Sequence, residues 1–238
     1  MSLIELEKEI KKYKNLKDAS FLQRFFKTGK GEYGEGDIFY GIRNPQSKII
    51  ARKFKDLFLE DCKKALHSKI HEERLISLFI LVNQFQKAKK DPAKQKEIFN
   101  LYLRNAKRVN NWDLVDLSAP KISGPYLLSQ DRKILYKLAK SANLWERRIA
   151  IMSTYAFIRN NDFTDTFALA KILLNDKHDL IHKAVGWMLR EIGKRDLAQE
   201  EAFLKKYYKQ MPRTMLRYAI EKFSEQKRLM YLRKIPPK

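Results

Sequence analysis

Leu144-Trp-Glu-Arg-Arg-Ile-Ala-Ile-Met152 and Leu180-Ile-His-Lys-Ala-Val-Gly-Trp-Met188 can be laid over one another with an offset of 36 residues. Apolar residues at the three-and-four spacing of a helix face recur throughout the chain. Val109-Asn-Asn-Trp-Asp-Leu-Val-Asp116 can be set 35 residues before Leu144, and Ile70-His-Glu-Glu-Arg-Leu-Ile-Ser-Leu78 falls 74 residues before Leu144, about two such steps. Outward from these segments the same spacing recurs, in Leu75, Leu78, Phe79 and Val82, in Ile149, Met152, Ala156 and Ile158, and in Leu216, Ala219, Ile220 and Phe223. Period-two alternation is nowhere sustained. Helix-start signals punctuate the chain, among them Asp91-Pro92 and Ser141. The reading is an all-α protein of roughly a dozen helices.

A repeat of this length carried by helix pairs predicts an α-α superhelix, a solenoid of HEAT-like repeats, forming one domain over residues 1–238. In this register Asp116, Ile151 and Trp187 are equivalent, so Asp116 and Trp187 are expected on one concave surface. Thr28–Gly41 breaks the pattern and holds five of the eight glycines. It lacks G-x-x-x-x-G-K-[ST] and follows no strand, so it reads as a flexible surface loop rather than a nucleotide-binding one. Residues 235–238 read as a C-terminal tail.

Fifty Lys and Arg against 28 Asp and Glu give a formal charge of +22, while 44% hydrophobic residues are enough for a folded core. Such an excess points to a polyanionic partner, nucleic acid before membrane. No window approaches the roughly 20 apolar residues of a spanning helix, and the first ten residues lack the apolar core of a secretory signal. Cys62 is the single cysteine. It is expected to be structural, in a chain at home in a reducing cytoplasm and associated with the nucleoid.

Trp112 and Asp116 are four residues apart, so on a helix the carboxylate stands over the face of the indole. Around Trp187, Lys183 and Arg190 fall at the spacing that places two cations on its face. Trp145 reads as a packing residue. For the other two tryptophans a core position is the plain alternative, and for Asp116 a helix cap or an ion pair. Asp113 falls about 100° round the helix from Trp112 and is expected to serve the helix N-terminus. The pairs His67/His71 and His178/His182 lack a third ligand, and His71-Glu-Glu-Arg74 is not H-E-x-x-H, so no metal and no cofactor are expected.

Asn-Trp-Asp-Leu-Val-Asp at 111–116, Asn-Leu-Trp-Glu-Arg-Arg at 143–148 and Ile-His-Lys-Ala-Val-Gly-Trp-Met-Leu-Arg-Glu at 181–191 resemble the AlkD-like DNA alkylation repair glycosylases. Gly-Glu-Gly-Asp-Ile-Phe-Tyr-Gly-Ile-Arg-Asn-Pro at 34–45 and Met-Pro-Arg-Thr-Met-Leu-Arg-Tyr-Ala-Ile-Glu at 211–221 fit the same family. The resemblance implies HEAT-like repeats curled around duplex DNA with a concave basic face, and hydrolysis of the N-glycosidic bond of purines alkylated at N3 or N7. It implies that Asp116 is catalytic, that Trp112 and Trp187 contact the lesion and sugar, and that Arg148 lies beside them. Lys183, Arg190, Arg213 and Arg217 join Arg148 as candidates for phosphate contacts. Phe25 falls where the family can carry Tyr.

The chemistry suits a lone carboxylate. An alkylated purine already carries positive charge and departs neutral, so the charge that develops is on the sugar, as in an oxocarbenium-like transition state. One ionised carboxylate stabilises it and can hold the attacking water. No His or Glu is expected beside Trp112, Asp116 and Trp187, hence no general acid for neutral bases. No lysine is placed for a Schiff base. The expectation is a monomeric, monofunctional glycosylase acting on double-stranded DNA; the alternative is a non-catalytic binder of bent or branched DNA on the same scaffold.

Overall fold

The computed structural model describes residues 1–233, so the tail at 235–238 lies outside the described residues. Among them the regular structure is helical, with one isolated bridge between Ile38 and Ile70. The chain divides into two compact units, Met1–Tyr126 and Leu127–Lys238.

The first unit contains α1 (Leu3–Lys11), α2 (Leu16–Phe25), α3 (Asn44–Lys53), α4 (Leu59–Leu66), α5 (His71–Lys87), α6 (Pro92–Arg104) and α7 (Trp112–Ser118), with α8 (Ser123–Leu127) at its end. α5 is the hub: α3, α4, α6 and α7 pack on it. Leu75, Leu78, Phe79 and Val82 are buried as their spacing requires, but so are His71, Glu72, Glu73 and Arg74 in the first turn. An amphipathic stripe does not foresee that second group. Cys62 is buried on α4, and burial pushes its thiol up to about 12, which makes it inert.

The second unit contains α9 (Lys133–Ala139), α10 (Leu144–Ser153), α11 (Tyr155–Arg159), α12 (Thr164–Ile172), α13 (Asp179–Gly193), α14 (Leu197–Tyr207), α15 (Arg213–Ala219) and α16 (Glu225–Leu232). α9 pairs with α10, and α13 with α14; α10 packs on α13, and α13 on α15. Ile181, Ala184, Val185, Met188, Leu189 and Ile192 form the buried face of α13.

Helices α7, α10, α13 and α15 start at Trp112, Leu144, Asp179 and Arg213, a step of 32 to 35 residues. The repeat is therefore present, with one shift of register. Asn111 ends the chain's approach to α7 by accepting the Trp112 N–H at 2.8 Å. Asn143 does the same for α10, accepting from Trp145 at 2.9 Å and Glu146 at 3.2 Å. The two caps align Trp112 with Leu144. Val109 therefore precedes its helix, and Asp116 stands about one turn nearer its helix start than Ile151 and Trp187 do.

The glycine-rich segment is a loop whose second half is tied down. Glu72 accepts from the amides of Tyr40, Gly41 and Ile42 at 3.0, 2.8 and 3.0 Å. Three charge-assisted bonds offset the burial of this carboxylate. Gly41 has φ +83°, and a Cβ there would lie 2.1 Å from the Asn15 carbonyl oxygen. Only glycine fits.

Candidate active site

In the first unit Trp112 and Asp116 occupy the half-buried side of α7, while Asp113, Leu114 and Val115 turn inward. One face of the Trp112 indole rests on Phe26, with ring centres 5.2 Å apart and planes 27° from parallel. Phe25 meets the indole edge-on at 6.0 Å. Behind Phe26 stand Phe39, stacked at 5.1 Å, and the His71 ring, also at 5.1 Å. The spacing rule that paired Trp112 with Asp116 could not supply these partners, because they come from α2, the glycine loop and α5. Phe25 is 52% exposed and stacks on Phe21, which is exposed as well. An aromatic ledge thus runs outward from Trp112.

Asp116 lies close enough to the buried Tyr102 to act on its phenol. Burial raises that pKa, a hydrogen bond from Ser118 opposes the rise, and the Asp116 charge adds to it. Asp113 behaves differently. Its Oδ1 accepts the Leu114 N–H at 2.8 Å, in keeping with a first-turn role, but its Oδ2 lies 2.9 Å from His71 Nε2. The other ring nitrogen of His71 faces Asp37 at 3.3 Å, and Arg74 pairs with the same Asp37 oxygen at 2.7 Å. With a carboxylate at each nitrogen, both nitrogens donate, so the ring is an imidazolium. Burial works against that charge, yet Asp113 and Asp37 outweigh it and raise the pKa to about 9. Burial also presses Asp37 upward, but His71 and Arg74 hold it below its ordinary value.

Lys48 on α3 and Lys121 after α7 carry an unbalanced charge. Burial and then Lys48 depress the Lys121 pKa, and neither lysine forms a salt bridge among the described residues. Like charges held together in this way favour an anion.

In the second unit Trp187 is half-buried on α13, and its indole Nε1 donates to Glu191 at 3.0 Å. The expectation that no Glu accompanies the tryptophans is corrected here. Glu191 follows Trp187 by four residues, the same helical spacing that flagged Lys183. Its oxygen also accepts from Lys194 at 2.6 Å and lies 3.8 Å from Arg190. Arg190 pairs with Glu221, and Lys183 with Asp179 at 2.7 Å. Arg213 and Arg217 are exposed, and Arg213 donates to the Leu232 carbonyl at 3.3 Å.

Arg148 departs from the place expected of a phosphate contact. It is 4% exposed, and its Nη1 donates to the Leu180 carbonyl, bracing α10 against the first turn of α13. The cause is its position on the inward stripe of α10, beside Trp145, Ile149 and Met152. Trp145 is buried in that stripe, where a packing residue belongs.

The remaining histidines have local partners. His67 faces Asn105 at 2.9 Å, His178 accepts the Leu180 N–H at 3.1 Å, and His182 meets the Asp176 carbonyl. Among the described residues no group of three or more His, Cys, Asp or Glu is arranged to hold a metal ion, and no helix is long and apolar enough to cross a membrane.

This helical architecture has a solved counterpart. A structure described as a predicted DNA alkylation repair enzyme from Enterococcus faecalis superposes with a TM-score of 0.69, covering 89% of this chain and 97% of that one at 15% identity. At that identity the likeness concerns the fold. Curated protein sequences give no significant match. The family model for DNA alkylation repair enzymes matches residues 6–223, nearly the whole chain, and the protein belongs to that family.

Proposed function

We propose that this protein is a monofunctional DNA glycosylase that hydrolyses the N-glycosidic bond of cationic N3- and N7-alkylpurines in duplex DNA. The observation that carries the reading is Asp116 one helical turn from Trp112, on the outward side of an α7 whose inward side is locked. An ionised Asp116 opposes the positive charge that grows on the sugar and orients water toward C1′. The indole face of Trp112 not taken by Phe26 meets the cationic lesion or sugar, an attraction on the order of 1 to 2 kcal/mol once water is excluded. The resemblance assigns Trp187 to the same lesion.

Phosphate contacts are proposed for Lys183, Arg190, Arg213 and Arg217, with Lys48 and Lys121 added by the structure. The burial of Arg148 makes it a brace for α13 in this scheme. Glu191 is engaged through Oε1 with the Trp187 indole and Lys194, and it is given no acid role in this scheme. Neutral bases such as uracil and hypoxanthine therefore remain outside the range. The protein acts as a monomer on double-stranded DNA, in the cytoplasm at the nucleoid.

The test is release of base from duplex DNA containing N7-methylguanine, followed under single-turnover conditions. Asp116→Asn should bind abasic-analogue DNA like the parent and release base on the order of 100-fold more slowly. Tight binding without any release by the parent would convert the reading to that of a non-catalytic DNA binder.

A further inference from the structure

Four charged side chains of the first unit, Asp37, His71, Arg74 and Asp113, are each more than nine-tenths buried, and the reaction proposed above uses none of them. Taking such groups out of water is costly unless their charges cancel and their hydrogen bonds are filled. Here the charges cancel only in one state. Two carboxylates balance one guanidinium and one imidazolium, and loss of the His71 proton leaves a net negative charge in the interior.

The cluster joins three segments distant in sequence. Asp37 comes from the glycine loop, His71 and Arg74 from the first turn of α5, and Asp113 from the first turn of α7. The other polar groups around it are engaged or weak. Asn110 reaches Asp37 at 3.4 Å, and Arg108 donates to the His67 carbonyl at 2.7 Å. Glu72 is turned to the amides at 40–42, and Glu73 accepts from Ser68. The walls of the imidazole are Phe39 at 4.4 Å and Phe26 at 5.1 Å.

Two routes lead from His71 to the proposed reacting groups. Asp113 directly follows Trp112 and sits three residues before Asp116, so fixing its carboxylate fixes the first turn of α7. Phe26 lies against both the imidazole and the Trp112 indole.

We infer that His71, clamped as an imidazolium between Asp37 and Asp113, is a positioning residue that sets Trp112 and Asp116 for base release, an inference that rests on the glycosylase reading. The clamp holds throughout neutral pH, because the two carboxylates keep the ring protonated up to about pH 9. Above that pH the neutral ring keeps a single N–H for two carboxylates, so the clamp opens on one side and no longer ties the glycine loop and α7 together through one charge. A residue that merely fills the core would carry no such pH signature.

The experiment compares the parent, His71→Gln and Asp37→Asn in the full chain. Single-turnover release of N7-methylguanine is measured from pH 6 to 10, together with affinity for undamaged duplex. The four histidines are followed by 13C-labelled imidazole resonances, with His71 assigned from the signal missing in His71→Gln. His71 should titrate near 9 in the parent. Because a positioning error of about 1 Å can cost on the order of 100-fold, His71→Gln should slow release by roughly 10- to 100-fold with duplex affinity little changed. Asp37→Asn removes one of the two carboxylates and should move both the His71 titration and the alkaline limb of the rate profile down by about one unit or more. Should His71→Gln fail to fold, the alkaline limb of the rate profile in Asp37→Asn decides alone. Release by the parent with an alkaline limb unmoved in Asp37→Asn overturns the inference and leaves the glycosylase reading standing. No release by the parent overturns both.

Discussion

Glu200 on α14 is 1% exposed, its Oε1 has no hydrogen-bond partner, and its other oxygen presses on Gly193, the last residue of α13. Burial, then the neighbouring Glu201, drive its pKa up to about 8, with Arg190 opposing. In the unfolded chain the same carboxyl titrates near 4.5. Between these values the folded state holds a proton that the unfolded state has released, so stability falls as pH rises from 4.5 to 8. One pH unit corresponds to about 1.4 kcal/mol, so at pH 7 the carboxyl costs on the order of 3 kcal/mol. Glu200→Gln keeps the shape and removes the titration. Its buried amide forgoes hydrogen bonds at a fixed cost of about 1 to 3 kcal/mol, which offsets the gain equally at every pH. The diagnostic is therefore the slope. Thermal melts of parent and variant from pH 4.5 to 8.5 should diverge in the variant's favour as pH rises. At roughly 2 to 4 °C per kcal/mol for a chain of this size, the relative gain between pH 4.5 and 7 is on the order of 6 to 12 °C. A difference in Tm that does not vary with pH would show that Glu200 is ionised or solvated in the fold, and the argument from its burial would fail.

The helical class and the repeat were legible because they rest on local periodicity, which any sufficiently long amphipathic stretch displays. Trp112 and Asp116 share the outward side of α7 for the same reason: four residues are about one turn. The register error at Val109 has an equally local remedy, since Asn111 and Asn143 are capping residues and mark where their helices begin. Glu191 was readable by the spacing that singled out Lys183. What the chain does not display is the partner of Asp113. His71 lies 42 residues away and Asp37 a further 34 before it, and no spacing rule connects a loop, a helix start and a second helix start. Arg148 is a related case. Its sequence neighbourhood fits an exposed cation, and only the packing of α13 on α10 decides that its guanidinium meets the Leu180 carbonyl instead of solvent. Burial of charge is a tertiary property, and both surprises in the candidate site are of that kind.

Binding to undamaged duplex should be electrostatic, given +22 and the unpaired Lys48 and Lys121. Log affinity should fall with log salt by about 0.9 for each phosphate neutralised, and a flat response in a salt titration would remove DNA as the partner. The last expectation concerns Gly186, directly before Trp187. A Cβ at this position would lie 2.4 Å from the Met215 carbonyl oxygen and 2.6 Å from Tyr218 Cβ, so α15 approaches α13 too closely for any side chain. Two effects oppose each other in Gly186→Ala. Alanine favours the helix by about 1 kcal/mol over glycine, whereas overpacking costs about 1 to 3 kcal/mol and more when the obstacle is backbone. Because the nearest atom is a main-chain carbonyl that no rotamer change can move, the steric cost should win, with α13 and α15 forced apart and Tm lowered by several degrees. The displacement begins at the residue beside Trp187, so its indole should lose its fixed relation to Glu191, and its fluorescence should shift in the Trp112→Phe, Trp145→Phe background. A variant as stable as the parent, with unchanged emission, would mean that the contact between α13 and α15 is looser than the structure has it, and that the proposed lesion contact at Trp187 is not held by that packing.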